Sequence, residues 1–288
     1  MKYFRTLAAF AGLAPLAFAA LDSADYRAAV EFYTQHKPLE AQQAFEMLAT
    51  AHPADGDVQF YLGRLALQRD DAEKAVAYLE KSVQLTPNDS RYHHRLGDAY
   101  GRTAQKASLF SQMGLAKKCR TEYEKAVELD GKNLDARQSL MSFYLQAPGF
   151  AGGSNEKALE QALAVKQINL LRGRQLCAQV YAADKKYDQA FAEFDAALKS
   201  SPDDYTSLYQ VGRLAANTGQ SLDRGLASLR RCVELTPPEG EPGHAAAHWR
   251  IGNLLEKKGD KPGARAAYEA ALKVDPKFAQ ASEALKKL

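Results

Sequence analysis

The segment from Ser154 to Lys157 is the first place where the chain could carry out chemistry, because a serine three residues before a lysine can act as an activated nucleophile. Enzymes of that kind also need Ser-Asp-Asn and Lys-Thr-Gly motifs, and the sequence contains neither. Gly152 and Gly153 precede the serine, which is typical of a loop followed by a helix N-cap. The pattern therefore predicts a helix that begins after Ser154 and no catalytic serine.

The histidines and cysteines are the other reactive side chains, and their spacing favours neither a metal site nor a disulfide framework. His93 and His94 are adjacent, so on a helix their side chains point about 100° apart and are poorly placed to chelate one ion. Cys119, Cys177 and Cys232 fall where other segments carry small apolar residues, which predicts buried free thiols. We therefore predict no metal, no cofactor, no catalytic residue and no enzyme activity.

Charge and composition exclude one class of partner. The formal net charge is +3, and it becomes +1 without residues 1–19, because 36 basic residues then face 35 acidic ones. Binding of bulk nucleic acid needs a clustered basic face, and no basic or aromatic-basic module is visible. We predict no nucleic-acid partner.

Residues 1–19 have the pattern of a secretory signal peptide. Lys2 and Arg5 form a basic start, and a short apolar run from Leu7 to Phe18 ends within an Ala-Phe-Ala triplet that signal peptidase accepts. A membrane-spanning helix needs about 20 apolar residues, so the run favours cleavage over an uncleaved N-terminal anchor. The pattern predicts a periplasmic or secreted protein with no integral membrane span after cleavage.

The segment from Gly56 to Asp89 shows which elements must position any functional residue. Its apolar residues recur at three- and four-residue steps, which predicts two helices separated by a turn at Asp70 and Asp71. Gly63 is small where the helices would approach closely, and Leu79 would fill the groove between them. A single helix hairpin cannot cover both of its apolar faces, so it must stack on copies of itself.

The same spacing recurs along most of the chain. Two stretches depart from it: residues 101–118 lengthen the third repeat, and the Gly-rich segment 148–154 interrupts the fourth. The role of either stretch does not follow from the sequence. The predicted repeats are 22–55, 56–89, 90–133, 134–170, 171–204, 205–239 and 245–278, followed by a capping helix over 279–288.

This pattern resembles the tetratricopeptide repeat, because Leu-Gly, Ala, Leu or an aromatic, Ala and a final Pro recur with a period of about 34 residues. The resemblance implies an all-α superhelical solenoid of about seven helix hairpins with a C-terminal capping helix. It also implies a concave groove that binds a protein or peptide segment. Together with the N-terminal pattern, it indicates a bacterial secreted or periplasmic member of the family.

The resemblance also implies which residues face the groove, namely the fifth and ninth positions of each first helix. Aromatic and arginine side chains at such positions would grip a peptide by stacking and by carboxylate contacts. The alternative is that they line a wide, hydrated channel. The lysine and asparagine pattern of the family's carboxylate clamp is incomplete, so a C-terminal carboxylate is not expected as the ligand. The peptide-binding candidates are Tyr26, Phe60, Arg64, Arg91, His94, Asp98, Arg102, Tyr209, Arg213, Trp249 and Asn253.

The sequence therefore supports two alternative hypotheses about function. The first is a periplasmic scaffold or adaptor that holds a partner protein or peptide in envelope assembly or export. The second is a structural subunit that self-associates through the extended third hairpin, with Phe110 and Met113 at its tip. The sequence names neither the partner nor the pathway, and it leaves a homo-oligomer open.

Overall fold

The structure is a computed structural model that describes residues 23–288, so the predicted signal peptide, residues 1–19, lies outside the described residues. The described chain folds into α-helices joined by short connections, with no strand in that range. The helices are α1 Ala24–Thr34, α2 Pro38–Ala51, α3 Gly56–Gln68, α4 Ala72–Leu85, α5 Ser90–Lys106, α6 Leu109–Leu129, α7 Leu134–Gln146, α8 Asn155–Ile168, α9 Leu170–Ala183, α10 Tyr187–Ser200, α11 Tyr205–Thr218, α12 Leu222–Glu234, α13 His244–Lys257, α14 Lys261–Val274 and α15 Ala279–Lys287.

Polar caps set where the helices begin. Asp71 accepts a hydrogen bond from the backbone N–H of Lys74 at the start of α4. Ser154 accepts one from the N–H of Lys157 at the start of α8, at 3.2 Å. Each cap satisfies a helix N–H that has no partner inside the helix. The cap that the sequence predicted at Ser154 is confirmed.

Glycines let the two helices of a hairpin approach each other. A Cβ atom on Gly63 of α3 would lie 2.5 Å from Cγ of Leu79 on α4. A Cβ atom on Gly97 of α5 would lie 2.6 Å from the ring of Tyr123 on α6. No side chain fits at such distances, so the small residue and its large partner fix the register of each hairpin.

The third hairpin is longer than the second. Helices α5 and α6 contain 17 and 21 residues, compared with 13 and 14 in α3 and α4. Only Ala107 and Ser108 separate α5 from α6. The extra residues therefore lengthen the two helices instead of forming a loop.

The helices fall into two compact units, and the boundary lies within α7, after Ser139. In the first unit, a core of apolar residues that includes Phe45, Val58 and Leu65 joins the first two hairpins. In the second unit, a larger core extends from α9 to α14. The described part of the second unit ends in α15, whose Ala281 is buried against residues of α14.

The fourth repeat contains the Gly-rich interruption, which folds as a short 3₁₀ turn, Gly149–Ala151. The backbone N–H of Ser154 then donates to the carbonyl of Tyr144 at 2.9 Å, so the segment returns to the end of α7 before α8 begins.

In the described part of the chain, none of the helices is both long and apolar enough to span a membrane.

Candidate functional site

The first candidate site is an arginine–aromatic cluster in the first unit, formed by Tyr33, Phe60, Tyr61, Arg64 and Arg91. Phe60 and Arg64 lie four residues apart on α3 and therefore share one helix face. The guanidinium of Arg64 lies 4.6 Å from the ring centroid of Tyr33, 5.4 Å from that of Phe60 and 5.6 Å from that of Tyr61. Contacts of this kind attract the cation to the rings and hold its plane in place.

Arg64 lacks a carboxylate partner of the kind that Arg91 and Arg95 have. Arg91 pairs with Asp89 and Asp57, Arg95 pairs with Asp98, and no such pair of Arg64 occurs within residues 23–288. The side chain is only partly exposed, so water compensates its charge incompletely. An oriented, partly desolvated guanidinium without a counter-charge is suited to bind a carboxylate from outside.

Arg91 is the neutralised cation of the cluster. Its guanidinium lies 5.6 Å from the ring centroid of Phe60, and its Nη2 is 2.5 Å from Asp89 and 3.2 Å from Asp57. The hydrogen bonds that it donates to Asp89 raise the pKa of Arg91. Because two carboxylates already hold this guanidinium, a ligand would have to displace one of them.

The structure corrects the expectation that the fifth-position residues are open to a ligand. Four of the predicted residues are buried: Tyr26, Phe60, His94 and Tyr209. The ring of Phe60 packs against that of Tyr92 at 4.9 Å, and the imidazole Nε2 of His94 lies 2.9 Å from the hydroxyl of Ser139. Each of these two residues is covered by a helix of the following repeat, so it supports the surface instead of contacting a ligand.

Asp98 and Asn253, at the ninth position of their repeats, serve to hold hairpins together. The hydroxyl of Tyr123 donates to Asp98 at 2.8 Å, and that of Tyr268 donates to Asn253 at the same distance. Neither tyrosine was among the residues predicted to have a functional role. The feature that could have identified them is that each tyrosine lies opposite a glycine of the first helix. A ring packed against that glycine extends its hydroxyl group beyond the first helix.

Arg102 also has a structural role. Its Nη1 donates to the carbonyl of Leu67 at 3.1 Å and lies 3.9 Å from a carboxylate oxygen of Asp70. It therefore links the second and third hairpins. Of the residues predicted in the first unit, Arg64 is the one that the structure leaves most available to a partner.

The second unit contains another arginine–aromatic group, formed by Arg213, Trp249 and Arg250. The guanidinium of Arg250 lies 4.3 Å from the ring of Trp249 and donates to Asn217 at 3.1 Å, while its buried Nε has no partner. Arg213 is an exposed residue, and partial burial of its guanidinium together with the charge of Arg250 lowers its pKa. Arg250 was not among the predicted residues, although it follows the predicted Trp249 directly.

The residues first considered for chemistry have other roles. All three cysteines are buried and free, and burial raises the pKa of Cys177 to about 11 and those of Cys119 and Cys232 to about 12. Thiols in this state are poor nucleophiles. Within residues 23–288, no group of three or more His, Cys, Asp or Glu side chains could hold a metal ion.

Comparison with protein families decides what the hairpins are. Models described as tetratricopeptide repeat match residues 26–90, 104–133, 177–240 and 245–278, which together make up more than half of the chain. The chain belongs to the tetratricopeptide repeat family. Its fold is accordingly an all-α solenoid of repeated helix hairpins.

Known proteins resemble this tetratricopeptide repeat chain to different extents. The human mitochondrial import receptor subunit TOM70 is 24% identical over 204 residues, which are 71% of this chain and 27% of TOM70. The rat protein is 23% identical over 201 residues. The chain thus spans about a quarter of the length of the curated relatives that it matches.

Solved structures show the same fold. A tetratricopeptide repeat protein from Parabacteroides merdae superposes with a TM-score of 0.64 at 15% identity, covering 91% of this chain and 96% of that one. PilF from Pseudomonas aeruginosa superposes with a TM-score of 0.55 at 18% identity, covering 81% and 97% of the two chains. At these identities the likeness concerns the fold alone.

Proposed function

We propose that the protein is a scaffold that binds an acidic segment of a partner protein through the arginine–aromatic cluster around Arg64. Tetratricopeptide repeats act in protein–protein interaction and peptide binding, which sets the class of ligand. The observation that carries the acidic preference is the guanidinium of Arg64, which is stacked on three rings and has no described carboxylate partner. Arg213 and Arg250 give the second unit a surface of the same charge.

We further propose that the scaffold works outside the cytoplasm, in envelope assembly or export. The support is the N-terminal sequence pattern, with its basic start, short apolar run and Ala-Phe-Ala triplet. The similarity to a subunit of a mitochondrial import receptor also favours a protein that handles other polypeptides in transit. Tetratricopeptide repeat scaffolds are typically non-enzymatic, and we assign this chain no reaction.

Calorimetry with peptides tests the binding proposal. An array of synthetic 12-residue peptides with graded acidic content supplies the ligand, and the best binder is titrated into the wild type and the variants. We expect Arg64→Gln to weaken binding by about 1–3 kcal/mol, as removal of a central interface arginine does. Arg230→Gln is the matched control, because Arg230 is an exposed arginine on α12, outside both groups.

Two results would contradict the proposal. One is an array in which affinity does not rise with acidic content. The other is an Arg64→Gln variant that binds the best peptide as tightly as the wild type does. Loss of binding in Arg230→Gln as well would show a general charge effect and would also count against a site at Arg64.

A further inference from the structure

The tip of the third hairpin, residues 106–118, exposes apolar side chains that the fold does not use. Phe110 is 94% exposed and Met113 is 58% exposed. They lie three residues apart on α6, so they share one helix face. A large apolar side chain that stays in water lacks the stabilisation that burial gives, so this face is suited to be covered by a partner.

The tip also lies at an extremity of its hairpin. Helix α6 has seven residues more than α4, the corresponding helix of the preceding hairpin, which is about 10 Å of additional length. Phe110 is the second residue of α6, next to the two-residue connection from α5. The apolar side chains are therefore at the far end of an elongated pair of helices.

The charged residues of the tip segment itself all have the same sign. Residues 99–121 contain no acidic residue, and their basic residues are Arg102, Lys106, Lys117, Lys118 and Arg120. Asp70 pairs with Lys106 at 2.7 Å, and Glu124 lies 3.6 Å from Arg120. Lys117 is exposed and has no carboxylate partner among the described residues.

The start of α6 adds to the positive potential. Its first turn contains no acidic residue, and its N-cap, Ser108, makes no side-chain cap hydrogen bond. The positive end of the helix dipole is thus left without a compensating carboxylate at the same tip.

We propose that this tip docks on an anionic lipid surface. Phe110 and Met113 enter the boundary between headgroups and acyl chains, and Lys117 contacts lipid phosphates. Lys118, whose Nζ lies 4.9 Å from the ring centroid of Tyr100, adds to the positive potential beside it. Lys117 lies seven residues after Phe110, about 10 Å along the helix. Amphipathic elements insert about 5–10 Å, so the apolar residues would reach the acyl boundary while the lysines stay at headgroup level. This interaction is separate from peptide binding at Arg64.

The order of residues distinguishes this partner from the alternatives. A membrane presents anionic groups above an apolar layer, and the tip presents apolar residues in front with basic residues set back. A second copy of the chain would bring two tips of the same positive charge together, which opposes self-association there. An anionic surface attracts each lysine, whereas a second tip of the same charge repels it.

Fluorescence tests the proposal at the tip itself. In a Trp249→Phe background of the full chain, Phe110→Trp places the only indole at the tip. With vesicles of phosphatidylglycerol and phosphatidylcholine, we expect a blue shift and quenching by brominated acyl chains. Phe150→Trp in the same background is the control, because Phe150 is 81% exposed in the Gly-rich segment. Its emission should not change.

Charge reversal tests the lysines. Adding Lys117→Glu and Lys118→Glu to the Phe110→Trp chain should weaken the vesicle-induced shift by about tenfold or more in apparent affinity. Lys273→Glu with Lys277→Glu, at exposed lysines of the second unit, should leave it unchanged. All four lysines are exposed, but Lys118→Glu also removes a contact with the ring of Tyr100, so the melting temperature of each variant is compared with that of its parent chain.

Several outcomes would overturn the proposal. They are no shift for Phe110→Trp with anionic vesicles, an equal shift with pure phosphatidylcholine, or the same shift for Phe150→Trp. Light scattering supplies another: a dimer of the wild type without lipid that becomes monomeric on Phe110→Ser would assign the tip to self-association.

Discussion

The adjacent residues His93 and His94 have different surroundings, and the difference affects how they titrate. Nδ1 of His93 lies 2.6 Å from a carboxylate oxygen of Glu122, and Nε2 lies 2.9 Å from the carbonyl of Pro87. His94 lies instead beside Ser139, and its nearest carboxylate, that of Asp98, is 3.8 Å away. Their side chains have different partners, as adjacency on a helix predicts.

The pKa values of the two histidines shift in opposite directions. Burial opposes the charge of His93, but hydrogen bonds to Glu122 and Pro87 outweigh it, and the pKa of His93 is raised. Burial lowers the pKa of His94, against a smaller opposite effect of Asp98. Protonation therefore stabilises the fold at His93 and destabilises it at His94.

Opposite pH dependences of stability are the expected result. The contribution of His93 is fully present below the unfolded pKa of about 6.5 and is lost as pH rises through the raised folded pKa. The contribution of neutral His94 is present above about 6.5 and is lost as pH falls through its lowered folded pKa. In urea unfolding, the destabilisation by His93→Gln should grow from pH ~8 to pH ~5, and that by His94→Gln should shrink. Equal slopes would contradict these assignments.

At the scale of elements, α15 covers one face of the α13–α14 hairpin. Ala281 is fully buried, and Leu285 and Leu288 pack partly against the cluster of Ala264, Tyr268 and Ala271. A terminal hairpin without such a cover would expose the face that every other hairpin gives to its neighbour.

Truncation after Phe278 tests the cap. Removal of one fully buried and three partly buried apolar side chains should destabilise the second unit by about 2 kcal/mol, which corresponds to a fall in Tm of roughly 4–8 °C. The control is Lys286→Ala with Lys287→Ala, because both lysines are exposed on α15. A truncated chain that melts at the wild-type temperature would show that α15 does not act as a cap.

Individual elements also show how far the sequence was informative. The start of α8 at Ser154 and the turn before Asp71 could be predicted, because caps are local chemistry. The burial of Phe60 could not be predicted, because its periodicity identifies a helix face but not the ring of Tyr92 that covers it. Burial at such a position depends on side chains about one repeat away, and spacing alone does not identify them.

At the scale of the whole molecule, the repeat period was the most informative feature of the sequence. It predicts the helix pairs because a small residue on one helix recurs opposite a large residue on the next, as in Gly63 with Leu79 and Gly252 with Tyr268. The two compact units could not be predicted in this way, since the same period continues on both sides of Ser139. Arg64 was predicted from its position in the repeat, but its contact with Tyr33 of the preceding repeat was not.

Destabilisation should remain local in such an array, because each repeat contacts only its neighbours. Gly63→Leu would overfill the contact with Leu79 in the first unit, and Gly252→Leu would overlap the ring of Tyr268 in the second. Each change should lower the local free energy of opening by about 1–3 kcal/mol. Hydrogen exchange followed by mass spectrometry should therefore show faster exchange in α3 and α4 for the first variant and in α13 and α14 for the second.

The control for this experiment is Gly114→Ala, because a Cβ atom there meets nothing within 4 Å. Alanine is the better helix former, so this variant should exchange as slowly as the wild type or more slowly. Faster exchange over the whole chain in Gly63→Leu would mean that the hairpins open as one cooperative block. In that case nearest-neighbour contacts would not determine the stability of the array, because an overfilled contact in one hairpin would lower the free energy of opening of all hairpins equally.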